Sequence, residues 1–104
     1  MGLTVGRTSA PDGEYVVVAG EVDIETAPQL RSALAAAVGT GAASVVIDLA
    51  AVTYLDSSGL SVLVSAHQRA RAQGSTLCLC NPSERVRSLL RITGLDTVLQ
   101  LDPA

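Results

Sequence analysis

Between Leu3 and Arg7 apolar and polar residues alternate, the period of a strand with one covered face. Pro11-Asp12-Gly13 follows. Pro presets φ and Gly accepts a positive one, so a hairpin leads into the apolar run Tyr15 to Ala19. That strand ends in Gly20-Glu21-Val22-Asp23. Thr26-Ala27-Pro28 then opens a helix, with Pro near the start, where a missing N–H costs little. Leu30, Leu34 and Val38 give this helix an apolar edge, and Gly39-Thr40-Gly41 stops it. Ser44 to Leu49 is nearly all apolar, the pattern of an interior strand covered on both faces.

A second helix is predicted from about Ser58 to Ala72, with Leu60, Leu63, Val64 and His67 on one side of it. Gln73-Gly74-Ser75 ends it, and Thr76 to Cys80 reads as a strand. Asn81-Pro82-Ser83-Glu84 starts a third helix that carries Val86, Leu89, Leu90 and Ile92 and closes at Thr93-Gly94. Val98 to Leu101 is a short terminal segment. The order β-β-α-β-α-β-α-β predicts an α/β fold. A mixed sheet of about five strands packs against three main helices, in one domain spanning residues 1–104.

Composition narrows the chemistry. Only two residues are aromatic, both Tyr, so Leu, Val, Ile and Ala must fill the core. The formal charge is −3 and all seven basic residues are Arg. Without a lysine there is no P-loop and no Schiff base, nor a lysine to accompany a phosphorylated aspartate. No basic stripe interleaved with aromatics appears, so nucleic acid is not an expected partner. No apolar run approaches a membrane span and the opening residues do not resemble a signal peptide, so the expected location is cytoplasmic. Cys78 and Cys80 share a strand face and are expected to be small buried apolar residues in a reducing compartment.

Tyr54-Leu55-Asp56-Ser57-Ser58-Gly59-Leu60 places an acid, two hydroxyls and a glycine between two apolar runs. A strand-to-helix turn needs a cap, which any one of Asp56, Ser57 or Ser58 could supply. The surplus hydroxyl therefore asks for another explanation. An exposed helix N-terminus suits an anion, and a hydroxyl there could carry a phosphate that the backbone stabilises. Gly59 is expected to leave space for another backbone or a phosphate to approach.

A hydrolase reading fails on distance. The single His, His67, lies ten residues along the same helix, about 15 Å from Ser57 at the rise of an α-helix. The turn also lacks G-x-S-x-G. His67 is expected to pack against the sheet with one hydrogen-bond partner. Cys-x-Cys with one distant His falls below the usual metal-ligand count, so neither a metal nor a cofactor is expected.

The run Val45-Val46-Ile47-Asp48-Leu49, followed by Thr53-Tyr54-Leu55-Asp56-Ser57-Ser58-Gly59-Leu60, resembles the signature of bacterial anti-sigma factor antagonists of the STAS domain family. Gly20-Glu21-Val22-Asp23 with Thr26-Ala27 is similar to the family's upstream acidic loop, and Arg91-Ile92-Thr93-Gly94-Leu95 to the segment closing its third helix. The resemblance implies a binding module and kinase substrate, not an enzyme. Its unmodified form binds an anti-sigma factor that is also a serine kinase and so frees a sigma factor. The kinase uses its own ATP to phosphorylate the serine after the motif aspartate, here Ser57, and the complex dissociates. A PP2C-type phosphatase reverses the modification. Ser61 stands where many members carry Gly.

The implied partner surface comprises Asp23, Asp56, Ser57, Ser58, Gly59, Leu60 and Ser61, with Ser58 expected as the helix cap. Asp23→Ala is expected to weaken partner binding while leaving the fold intact. The alternative is a non-switching STAS scaffold in a transport or stress-signalling complex, its serine unmodified.

Overall fold

The computed structural model describes residues 2–101. The ends of the expected 1–104 domain lie outside them. The chain runs β1 (Leu3–Ala10), β2 (Gly13–Val22), α1 (Ala27–Gly39), β3 (Ser44–Leu55), α2 (Ser57–Ala72), β4 (Thr76–Cys80), α3 (Glu84–Thr93), a 3-10 turn (Leu95–Thr97) and β5 (Gln100–Leu101). The strands lie side by side in chain order. β1 pairs antiparallel with β2 across the predicted hairpin, and every later pairing is parallel.

Each parallel step crosses over through a helix. Such crossovers are right-handed, so successive ones moving in one direction put their helices on one side of the sheet. Register shows which residues meet them. Val16 pairs with Ile47 and Ile47 with Leu79, so alternate residues of three strands point the same way. All three are buried, as are Val18, Val45, Leu49 and Leu77. Leu30, Leu34, Leu63, Ala66, Val86 and Leu90 of the helices complete this core.

The expectation that β3 is covered on both faces is corrected. Its apolar run is real, but Val46 and Asp48 on the far side are only half-buried, beside exposed Tyr15 and Val17 of β2. A run of Val and Ile cannot by itself distinguish two covered faces from one. Cys78 and Cys80 lie on the same open face, half-buried rather than buried as expected. The first three strands are longer than predicted, and β4 matches its predicted span. β5 is shorter, because the 3-10 turn takes the chain up to Thr97 and pairing begins only at Gln100. Register shifts between Val17 and Ala19 and between Gly20 and Glu21 let β2 and β3 stay paired as far as Val22 and Leu55.

Two helices present different faces from those predicted. In α2 Leu60 and Leu63 are buried as expected, but Val64 and His67 are half-buried at the flank. The imidazole has no hydrogen-bond partner among the described residues. In α3 Val86 and Leu90 face the core, whereas Ile92 is 83% exposed. α3 starts on a Ser83 cap, whose hydroxyl accepts from Val86 N–H at 3.4 Å. It stops at Gly94, whose φ of +76° few other residues adopt.

Candidate functional site

Because β2 and β3 are parallel, their carboxyl ends emerge together. Val22 pairs with Leu55, and Asp56 N–H donates to Val22 O at 3.3 Å. The Asp23 loop and the start of α2 are therefore neighbours.

Asp56 is the residue that caps α2. Its backbone is extended, at φ −112° and ψ −167°, and its Oδ1 accepts from Ser58 N–H at 2.9 Å. This corrects the assignment of the cap to Ser58. Three residues could cap the helix by type, and the backbone decides among them: the chain leaves the sheet at Asp56, whereas Ser57 already has helical geometry. Neither serine hydroxyl is needed for the cap. Ser57 is exposed and Ser58 half-buried, and among the described residues no hydrogen bond engages either hydroxyl. Ser61, one turn on, is also exposed.

Gly59 is buried, which corrects its expected role. A Cβ there would lie 2.9 Å from Leu55 Cγ and 2.9 Å from Val22 Cγ1. The glycine lets α2 press onto the strand ends, so the space belongs to the protein's own core and not to an incoming group. Leu60 is only 7% exposed. Gly59 and Leu60 therefore shape the site from beneath.

The Asp23 loop is held by its own side chains. Asp23 Oδ1 accepts from Glu25 N–H at 2.9 Å, from Thr26 N–H at 3.0 Å and from the Thr26 hydroxyl at 3.2 Å. Thr26 Oγ1 shares its single proton between Asp23 Oδ1 and Glu21 O, the latter at 2.9 Å, and accepts from Asp23 N–H at 2.9 Å. The Thr26 N–H first, then those from Glu25 N–H and the Thr26 hydroxyl, hold the Asp23 carboxyl below its ordinary value. Asp23 is a loop-forming residue as well as a surface charge. Replacing it with Ala would orphan these donors, so Ala is not the clean probe expected from sequence.

Several neighbours of Ser57 were not identified from the sequence. α3 forms the far wall of a cleft of about 410 Å³ whose lining includes Asp56, Ser57, Tyr54, Arg85 and Ile92. The Arg85 guanidinium sits 5.8 Å from the Tyr54 ring centroid. A second hollow of about 360 Å³, along α2, runs from Ser57 past Ser61 and Val64 to Leu95. Ser57 borders both. Ile24, at 77% exposure, Tyr54 and Ile92 add apolar surface around this end of the sheet. An exposed apolar residue inside a helical pattern was the available signal for Ile92. Nothing in the sequence joined Arg85 to Tyr54.

His67 lies elsewhere, in a cleft of about 380 Å³ with Arg71 and Thr97. Among the described residues no three His, Cys, Asp or Glu side chains gather as a metal site, and no helix is long and apolar enough to cross a membrane.

A mixed sheet with helices on one face defines a small α/β domain, with an unengaged serine hydroxyl at the start of α2. The STAS domain family model matches residues 11–104, and the chain belongs to that family. It is 41% identical over 101 residues to the anti-sigma-B factor antagonist of Bacillus subtilis (strain 168), an alignment covering 97% of this chain and 92% of that protein. The crystal structure of an anti-sigma factor antagonist from Mycobacterium paratuberculosis superposes with a TM-score of 0.89 at 30% identity, covering 99% of this chain and 87% of that one. The anti-sigma factor antagonist SpoIIAA in its unphosphorylated form shares the fold, with a TM-score of 0.71 at 19% identity over 97% of this chain and 89% of that one.

Proposed function

We propose that this protein is an anti-sigma factor antagonist that works by partner switching. In its unmodified state it binds an anti-sigma factor serine kinase through the carboxyl end of the sheet, and a sigma factor is released. The observation that carries the reading is the Ser57 hydroxyl, exposed and unengaged because Asp56 supplies the cap. Asp56, Ser58 and Ser61 lie beside it, Asp23 stands on the neighbouring loop, Gly59 and Leu60 support it, and exposed Ile24, Tyr54 and Ile92 provide apolar contact area.

In the switching step Ser57 Oγ attacks the γ-phosphorus of the partner's ATP. An O–P bond forms, the bond to the β–γ bridging oxygen breaks, ADP leaves, and the serine proton passes to a base of the kinase. The phosphate adds roughly −1.5 to −2 charge next to Asp56. A surface that met basic contacts then carries bulk and excess negative charge, and ~1.4 kcal/mol of lost interaction weakens affinity tenfold. A PP2C-type phosphatase returns Ser57 to the hydroxyl by transferring the phosphoryl group to water. This protein acts as substrate and binding module, and the chemistry belongs to its partners.

The test is incubation with an anti-sigma factor kinase and ATP, followed by phosphopeptide mapping. Ser57 should carry the phosphate, and Ser57→Ala should abolish labelling yet keep binding. Labelling confined to Ser58 or Ser61 would overturn the assignment.

A further inference from the structure

Arg85 has no part in the reading above, and its placement runs against local preference. It lies in the first turn of α3, where unpaired N–H groups favour an acid and disfavour a cation. It is exposed, and among the described residues the ion pairs are Arg7 with Glu14 and Arg91 with Glu84, neither involving Arg85. Its guanidinium lies over the face of Tyr54, 5.8 Å from the ring centroid. That contact stations a guanidinium on one wall of the cleft whose other lip carries Ser57. Asp56 is the one carboxylate lining this cleft among the described residues, and its Oδ1 is already engaged by Ser58 N–H.

We propose that Arg85 is the intramolecular receptor for a phosphate on Ser57. This rests on the reading of Ser57 as the phosphate acceptor. A guanidinium presents paired N–H donors whose spacing matches two phosphate oxygens, so it can take the group bidentately. Tyr54 biases the guanidinium toward this wall before the phosphate arrives. Once seated, the phosphate occupies the part of the cleft between Ser57 and Arg85, beside Tyr54 and Ile92. Modification then narrows a docking hollow as well as adding charge, and Arg85 offsets the repulsion from Asp56 that would otherwise push the phosphate outward.

The experiment installs phosphoserine at position 57 during translation, so that no kinase is needed, and follows its second ionisation by phosphorus NMR. The charged groups facing the phosphate are Arg85 and Asp56 in the cleft and Asp23 on the neighbouring loop. The midpoint should lie about 0.5–1 unit lower in the otherwise unaltered protein than in Arg85→Gln, because a nearby cation favours the dianion. Arg85→Lys should recover part of the shift. Arg87→Gln, on the same helix and outside the cleft, should leave the midpoint where it was. Circular dichroism checks each fold. Equal midpoints with and without Arg85, or an equal shift from Arg87→Gln, would overturn the proposal. Kinase labelling of Ser57 with equal midpoints would reject Arg85 alone. A shift that depends on Arg85, in a protein whose Ser57 the kinase does not label, would uphold the receptor and reject the acceptor reading.

Discussion

At the amino ends of the parallel strands, Glu14 is buried beside Arg7, Ser75 Oγ donates to Ala42 O at 2.7 Å, and Gln73 Nε2 donates to Val38 O at 2.8 Å. At the carboxyl ends, Ile24 and Ile92 face solvent and the Ser57 hydroxyl is unengaged. The two ends share one core but use their side chains differently. One end commits polar groups to holding turns and strands together. The other satisfies its backbone through Asp23 and Asp56 and keeps a hydroxyl and apolar surface uncommitted. A turn whose residues exceed its structural needs is where a partner can act without unfolding the domain. Substitutions at the amino end should therefore lower stability and spare binding, and those of the uncommitted groups at the carboxyl end, Ser57, Ile24 and Ile92, should do the reverse.

The shared core sets the upper limit of the scale. Leu63 is fully buried in α2 beneath both ends, and Leu63→Ala should cost ~2–5 kcal/mol. Urea denaturation should show the midpoint falling with little change in slope. An unchanged midpoint would mean that α2 packs through another face.

Arg7→Ala tests the amino end. Arg7 Nε lies 2.9 Å from Glu14 Oε1, yet that oxygen has no aligned hydrogen bond, so the contact is an attraction of charges and not a directed bond. Removing the arginine leaves a carboxylate that is only 4% exposed without its cation. About 1–3 kcal/mol of stability should be lost, with partner affinity unchanged in the folded protein. Loss of affinity at wild-type stability would dissolve the contrast between the ends.

Asp56→Ala removes the cap at the carboxyl end and should cost ~0.5–2 kcal/mol by thermal denaturation. Asp56→Asn, which keeps an acceptor, should recover most of it. If Asp56→Ala were neutral while Ser58→Ala was not, the cap would belong to Ser58 after all, and the case for a spare hydroxyl would narrow to Ser57 alone.

The smallest effect concerns pH. The Asp23 carboxyl titrates below its ordinary 3.8, because the loop donors favour its ionised form. Its contribution to stability is thus present above 3.8 and is lost as pH falls through the lower folded value. A carboxyl-carbon NMR titration should show that depressed midpoint, and the amide protons of Glu25 and Thr26 should exchange faster as Asp23 protonates. Asp23→Asn, which retains an oxygen acceptor, should remove the pH dependence while keeping the turn. An ordinary midpoint would show the loop to be less constrained than its hydrogen bonds imply.

The elements and their order were legible in the sequence because period, caps and breakers agree along most of the chain. What escaped depends on distances that local pattern does not encode. A run such as Val45-Val46-Ile47 is compatible with one covered face or two, and only the placement of the helices chooses. Asp56, Ser57 and Ser58 are all capping residues, and the point where β3 ends selects Asp56. The Gly59 contact with Val22 and Leu55 joins residues from three elements. Arg85 and Tyr54 stand on different elements and meet only because α3 folds back over the end of β3. The position of Ser57 could be read from its motif, whereas the second wall of its cleft required the tertiary structure.

A docking surface at the carboxyl end of the sheet, switched at Ser57, requires the two phosphorylation states to differ in affinity for the partner. The most direct test is the dissociation constant for an anti-sigma factor kinase, measured with unmodified protein and with protein carrying phosphoserine at position 57. A weakening of tenfold or more, about 1.4 kcal/mol, is predicted, with unchanged circular dichroism. Equal affinity of the two correctly folded forms would contradict the switch.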